Sequence, residues 1–135
     1  MVYKIEEIEG IGPVYGEKLR AIGITTVDKL LERCAGKQGR VAVARETGID
    51  EKSILTWTNH ADLFRIQGIG PQFSELLEEA GVDTVKEMRN RNAENLYDKI
   101  KEVNESKNLV RRLPSLNQIE AMIKEAGTLQ PMVSH

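Results

Sequence analysis

Apolar residues along the chain recur at helical spacing, and no segment alternates apolar and polar residues as a half-buried strand does. Residues that begin and end helices stand between the apolar runs. Pro13 and Pro71 predict the first position of a helix, because the missing proline N–H is not needed there. Gly23 and Gly81 predict the left-handed stop of that helix. The pattern therefore predicts an all-α fold of about eleven short helices.

The same signals place the remaining helices. Thr26 and Thr84 are positioned to cap the helix that follows each glycine stop. Pro114-Ser115 marks the start of the last helix, which we interpret as a C-terminal capping helix. Two further short helices are predicted in each half of the chain, near residues 37–47 and 51–58, and near residues 93–103 and 106–112.

The chain contains an internal repeat. Residues 8–33 align with residues 66–91 at an offset of 58, and 11 of these 26 positions are identical. The identities include I-x-G-I-G-P, the glycine stop and the capping threonine, whereas farther downstream the two halves match only in pattern. We predict three segments: a first repeat over residues 1–62, a second repeat with the terminal helix over 63–126, and a C-terminal tail over 127–135.

The I-x-G-I-G-P segment has a clear physical use. Two glycines bracket an apolar Ile, so the chain can reverse direction within about four residues while the Ile anchors the turn. Backbone N–H groups then lie beside a helix N-terminus, where oriented donors and the helix dipole suit an anion.

Both copies resemble the hairpin of the helix-hairpin-helix motif, which reads hydrophobic-x-Gly-hydrophobic-Gly. The resemblance implies a SAM-domain-like helix-hairpin-helix in each repeat, followed by two further short helices. In that family the hairpin holds a nucleic-acid backbone phosphate without reading bases. The implied contact positions are Gly10, Gly12 and Val14 in the first copy, and Gly68, Gly70 and Gln72 in the second.

Most of the chain, about residues 5–126, also resembles an uncharacterised bacterial domain family of unknown function built from two such repeats. The segments that carry this resemblance are TGIDEKSILTW, NHADLFRIQGIGP, AGVDTVKEM and LPSLNQIEAMI. It implies a fold and no established activity.

The overall charge limits any nucleic-acid contact to a local site. Lys and Arg number 19 and Asp and Glu 21, so the net charge is −2 and the global basic field of a strong nucleic-acid binder is missing. Residues 33–45 carry four basic residues and no acid, which predicts either a solvated charged face or the side that faces nucleic acid. The basic candidates are Lys18 and Arg20 beside the first hairpin, then Arg33, Lys37, Arg40 and Arg45, with Lys107, Arg111 and Arg112 as a smaller patch.

The sequence offers no residue set for catalysis. Cys34 is the only cysteine and has no evident partner base, and His60 and His135 are the only histidines. We therefore expect no enzyme activity, no metal, no cofactor and no small-molecule substrate. Four aromatic residues at core-like positions are interpreted as packing groups and not as base-stacking platforms: Tyr15, Trp57, Phe64 and Phe73.

Two functions are compatible with this sequence. The first is a non-enzymatic module that binds the DNA or RNA backbone weakly and without sequence preference. The second is a protein-interaction scaffold whose hairpins serve only packing. Four acidic residues follow the second hairpin and favour the scaffold, whereas the paired GIG turns favour nucleic acid. No apolar run is long enough for a membrane span and the N-terminus lacks a signal-peptide pattern, so we expect a cytoplasmic protein without membrane contact.

Overall fold

The computed structural model describes residues 3–135, and in that range the protein is all-α, with eight α-helices, one short 3-10 helix and no β-strand. The 3-10 helix spans Ile5–Glu7. The α-helices are α1 Pro13–Ala21, α2 Val27–Cys34, α3 Lys37–Thr47, α4 Glu51–Leu63, α5 Pro71–Glu79, α6 Val85–Arg89, α7 Ala93–Lys107 and α8 Leu116–Thr128. No helix of the described chain combines the length and the apolar character that crossing a membrane requires.

The chain folds as two compact units. Unit 1 ends at Asp62 and also includes the tail residues Met132–His135, whereas unit 2 is Leu63–Pro131. In unit 2, α8 packs mainly against α6 and α7, around a core that contains Leu77, Met88 and Ile119. In unit 1, α2 packs against α3 and against the 3-10 helix.

The same local backbone geometry occurs at both GIG turns, residues 8–13 (the first turn) and residues 66–71 (the second turn). The Ile11 N–H donates to the Ile8 carbonyl at 3.1 Å, and the Ile69 N–H donates to the Ile66 carbonyl at 3.2 Å. Both central isoleucines, Ile11 and Ile69, are buried as predicted. The helices that start at the two prolines then end at left-handed glycines, Gly23 and Gly81, which confirms that prediction.

The two glycines of each GIG differ in backbone conformation. Gly12 and Gly70 have φ angles of −85° and −112°, in the extended region that any residue adopts. The first glycine of each GIG carries the left-handed conformation instead, with φ of +95° at Gly10 and +92° at Gly68. The reversal of the chain therefore occurs before the buried Ile and not after it.

The helix count also differs from the sequence prediction. The segment near 106–112 is not a separate helix, because α7 continues to Lys107 and residues 108–115 are irregular. Likewise α4 extends to Leu63, past the predicted end near residue 58. The predictions for α3 and for the start of α8 are confirmed, the latter with a capping box between Ser115 and Gln118.

Candidate nucleic-acid interface

Each GIG turn leaves backbone donors at the start of a helix. Gly12 and Gly70 are the N-cap residues of α1 and α5, and neither helix receives a hydrogen bond from a capping side chain. The first N–H groups of a helix have no partner within the helix, and the helix dipole places positive potential there. Both turns can therefore supply donors to an anion. Which turn offers a usable site depends on the side chains around it.

At the first turn, the arginine expected to help bind an anion is already paired. The Arg20 guanidinium donates two hydrogen bonds of 2.6 Å to the Glu6 carboxylate, from Nε to Oε2 and from a terminal nitrogen to Oε1. The Arg20 hydrogen bond is the main cause that lowers the pKa of Glu6 to about 2. Gly16 leaves room for this carboxylate, since a Cβ there would lie 2.7 Å from Glu6 Oε2. Lys18 remains exposed, with no ion pair within residues 3–135.

Two apolar side chains are exposed on α1 in addition to its charged residues Glu17, Lys18 and Arg20. Val14 is 66% exposed and Tyr15 is 42% exposed. The Tyr15 ring lies 5.2 Å from the ring of Trp57, centroid to centroid, and Trp57 itself is buried. Tyr15 therefore packs against Trp57 from the surface and does not lie in the core.

The basic run over residues 33–45 does not form one surface. Arg33 binds Glu46 at 3.0 and 3.1 Å, and Lys37 and Arg45 are exposed. Arg40 is only 4% exposed, so it does not contribute to a solvated face or to a contact with phosphate. The hypothesis of a continuous patch made by all four residues needs correction at Arg40.

Arg40 has a structural role within unit 1. One terminal nitrogen donates to the carbonyls of Cys34 and Ala35, both at 2.9 Å. The other terminal nitrogen donates to the Ser134 carbonyl at 2.5 Å, and the Ser134 N–H donates to the Ala35 carbonyl at 2.9 Å. A buried guanidinium that holds three carbonyls fixes the tail against the α2–α3 corner.

The second turn lies at an open recess of about 580 Å³, which we call the second-turn recess. Among the residues that the structure describes, Arg111 is the only charged one that lines it, and the acidic residues of α5 do not. Arg111 is exposed and forms no ion pair within the described chain. One of those acids, Glu79, instead pairs with Lys107 at 3.4 Å. The recess lining consists of Gly68, Gly70, Gln72, Phe73, Asn108, Leu109, Val110 and Arg111.

Two asparagines place Arg111 beside the second turn. Asn108 ends α7 in the left-handed conformation with φ +52°, a conformation that asparagine tolerates better than most residues. The Asn104 side chain then clamps the loop: its Oδ1 accepts from the Leu109 and Val110 N–H groups at 2.8 and 3.0 Å, and its Nδ2 donates to the Val110 carbonyl at 3.0 Å. This loop stands where the sequence predicted a helix. It places Arg111 in the same recess as Gly68 of the second turn, although the two residues are 43 positions apart in the chain.

The second-turn recess contrasts with the sequence interpretation, in which the four acidic residues after the second hairpin favour the scaffold function. Gly68, Gly70 and Gln72 are brought together with an unpaired arginine, whereas the first-turn positions Gly10, Gly12 and Val14 have a neutralised Arg20 nearby. In the sequence, Arg111 belongs to a small basic patch, and no local pattern joins it to the second turn. The available signal was the Asn104–Asn108 pair, which is typical of a capped helix end.

Nucleophilic and metal chemistry have little support in the described residues. Cys34 is buried, and burial raises the pKa of its thiol to about 11, so it stays protonated at neutral pH. No group of three His, Cys, Asp or Glu side chains within residues 3–135 is placed to hold a metal ion.

Comparison with known proteins identifies a family without assigning an activity. No curated protein and no solved structure shows significant similarity to the chain. A family model described as "Domain of unknown function (DUF4332)" matches residues 9–129, a span that includes the second turn, all of the first turn except Ile8, and all eight α-helices. The chain therefore belongs to the DUF4332 family.

Proposed function

We propose that this protein is a non-enzymatic module of two helix-hairpin-helix repeats that binds a nucleic-acid backbone phosphate at the second turn. The observation that carries this proposal is the second-turn recess, where the uncapped start of α5 and an unpaired Arg111 occur without any acidic side chain. Backbone N–H groups and an arginine are the groups with which proteins hold phosphates.

The groups that line the recess support weak binding of nucleic acid without sequence preference. Hairpin amides and Arg111 meet phosphate oxygens and not base edges, so they carry no sequence information. A single arginine gives a small electrostatic contribution in a chain of net charge −2. We expect dissociation constants of roughly 10⁻⁴–10⁻⁶ M at physiological salt, as for non-specific contacts.

Two charge-matched variants test this proposal. Arg111→Gln removes the cation at the second turn, and Arg89→Gln removes an exposed arginine of α6 that does not line the recess. In a titration of labelled oligonucleotides at about 50 mM salt, Arg111→Gln should weaken binding and lower the slope of log affinity against log salt by about 1. Equal effects of the two variants, or no binding by the parent protein, would contradict the proposal.

The first turn supports a second function in the other unit. Val14 and Tyr15 expose apolar surface there, and Arg20 is neutralised by Glu6. Such a surface suits a protein partner better than a phosphate. The scaffold function, in which the hairpins serve only packing, predicts no oligonucleotide binding by the parent protein in the titration at about 50 mM salt. Binding that Arg111→Gln weakens and Arg89→Gln does not would contradict it.

A further inference from the structure

A second recess adjoins the second turn on the other side of Gly68. It has a volume of about 830 Å³, and we call it the α7–α8 recess because most of its lining comes from these helices and the loop that joins them. Gly68 lines both recesses, so the two share one rim. The lining of the α7–α8 recess includes Gln67, Tyr97, Arg112, Gln118, Met122 and Glu125.

The chemistry of this recess differs from that of a phosphate site. Arg112 and Glu125 both line it, so a purely anionic ligand would meet a carboxylate as well as a cation. Tyr97 lines the recess, is half-buried, and packs against the core of unit 2. An aromatic ring beside charged groups of both signs suits a flat, uncharged, hydrogen-bonding ligand.

Hydrogen bonds fix the rim of the recess. Glu125 Oε1 accepts from the Gln67 N–H at 3.1 Å, which ties α8 to the second turn. At the opposite end, the Ser115–Gln118 capping box holds the start of α8 with bonds of 2.8 and 3.2 Å. Gly68 has no side chain to narrow the shared rim, and a Cβ there would lie only 3.1 Å from Met122 Cε. The recess is thus preformed in the folded chain.

From this arrangement we propose that the α7–α8 recess holds one unstacked nucleobase of a single strand whose phosphate lies at the second turn. This inference rests on the proposed function and adds the class of nucleic acid. Bases in a duplex are paired and stacked, so they cannot enter a side recess while the backbone stays on the turn. A single strand can present a base to Tyr97 at no pairing cost, and base stacking on an aromatic side chain tolerates any base.

The test uses three probes with the full chain at about 50 mM salt: a single strand of about 12 nucleotides, the same strand with abasic sites, and the matching duplex. The base-bearing strand should bind about tenfold tighter than the abasic strand and the duplex. Tyr97→Leu should remove this preference, Tyr97→Phe should keep it, and Tyr15→Leu in unit 1 serves as the matched control. Arg111→Gln should weaken the base-bearing and abasic strands by the same factor.

The outcomes separate this inference from the function on which it rests. Equal binding of base-bearing and abasic strands would overturn the base site and leave phosphate binding standing. No binding of any probe would overturn both. Because Tyr97→Leu removes a group packed on the core, a second measurement is needed: a 2-aminopurine that is the only base of an otherwise abasic strand should lose fluorescence on binding to the parent protein and to Tyr97→Phe. An unquenched 2-aminopurine in a bound strand would overturn the base site.

Discussion

The ion pair between Glu6 and Arg20 links the chain before the first turn to α1. The carboxylate lies in a two-bond contact with the guanidinium, which is the strongest geometry for such a pair. Gly16 lies against the Glu6 carboxylate and has no side chain that would clash with it. The aligned position of the second repeat, 58 residues later, is Ser74. The pair therefore belongs to the first repeat alone, and it neutralises the cation that the first turn would need for a phosphate.

This pair gives stability a defined pH dependence. The pKa of Glu6 is about 2 in the folded protein, against 4.5 for an ordinary glutamate, so the folded state favours the ionised carboxylate. The contribution is fully present above about pH 4.5 and is lost as the pH falls toward 2. We expect the parent protein to melt at a higher temperature than Glu6→Gln at pH 6, with the difference shrinking as the pH falls toward 2 and vanishing below it.

The control for this prediction is Glu9→Gln, an exposed carboxylate for which no salt bridge is formed within the described chain. Its melting temperature should follow that of the parent across the same pH range. High salt should reduce the Glu6→Gln difference at pH 6, because both side chains of the pair are more than a third exposed. A difference that persists at pH 2 would contradict the assignment.

The glycines of the two turns have unequal roles, and this leads to a second prediction. Gly10→Ala and Gly68→Ala place a Cβ at positive φ, which costs roughly 1–2 kcal/mol, and each Cβ also approaches a neighbour, Trp57 Nε1 at 3.2 Å or Met122 Cε at 3.1 Å. Gly12→Ala is the control, because its φ is negative and a Cβ there meets no atom within 4 Å. Chemical denaturation should show lower free energies of unfolding for the first two variants only. A Gly12→Ala variant as unstable as Gly10→Ala would contradict this view of the turn.

At the scale of elements, the sequence predicted helix starts and stops where one residue type determines the backbone. Three residue types act locally: proline at the first helical position, glycine at positive φ and threonine as N-cap. The structure has them where the sequence predicted, because their effect does not depend on distant contacts. The end of α7 follows a different rule. Asn108 takes the left-handed conformation without being glycine, and the Asn104 side chain replaces the backbone bonds that another helix would have made. Helical spacing alone does not reveal such a side-chain clamp.

This clamp predicts a local effect of substitution. Asn104→Ala removes three hydrogen bonds from the loop after α7, each with a net value of about 1 kcal/mol. Hydrogen exchange at the Leu109 and Val110 amides should become faster, while exchange in α8 stays slow. Asn104→Asp keeps the acceptor for both amides and should restore part of the protection. Unchanged exchange at both amides in Asn104→Ala would show that the loop holds its shape without the clamp.

At the scale of the whole molecule, the sites depend on contacts that no local pattern contains. Arg111 reaches the second turn from 43 positions away, and Tyr97 and Glu125 meet Gly68 at one recess. The sequence correctly indicated which glycines form turns, but not which charges surround them. Arg40 is a second example of what local sequence does not reveal. It belongs to a basic run that predicts an exposed residue, but it is buried and donates to the Ser134 carbonyl of the tail.

The tail is part of unit 1, and this gives the last prediction. The Ser134 carbonyl accepts from the Arg40 guanidinium, and the Ser134 N–H donates to the Ala35 carbonyl. Removing residues 132–135 therefore leaves a buried guanidinium and a carbonyl with one partner fewer, at a cost of about 1–3 kcal/mol. Hydrogen exchange should then quicken in α2 and α3 and stay unchanged in α6 and α8, which lie in unit 2. Ser134→Ala is the control, because only the backbone of Ser134 takes part in these bonds. If α2 and α3 exchange equally in the truncated chain and the parent, the tail does not stabilise unit 1. If Ser134→Ala exchanges like the truncated chain, the Ser134 side chain and not its backbone holds the tail.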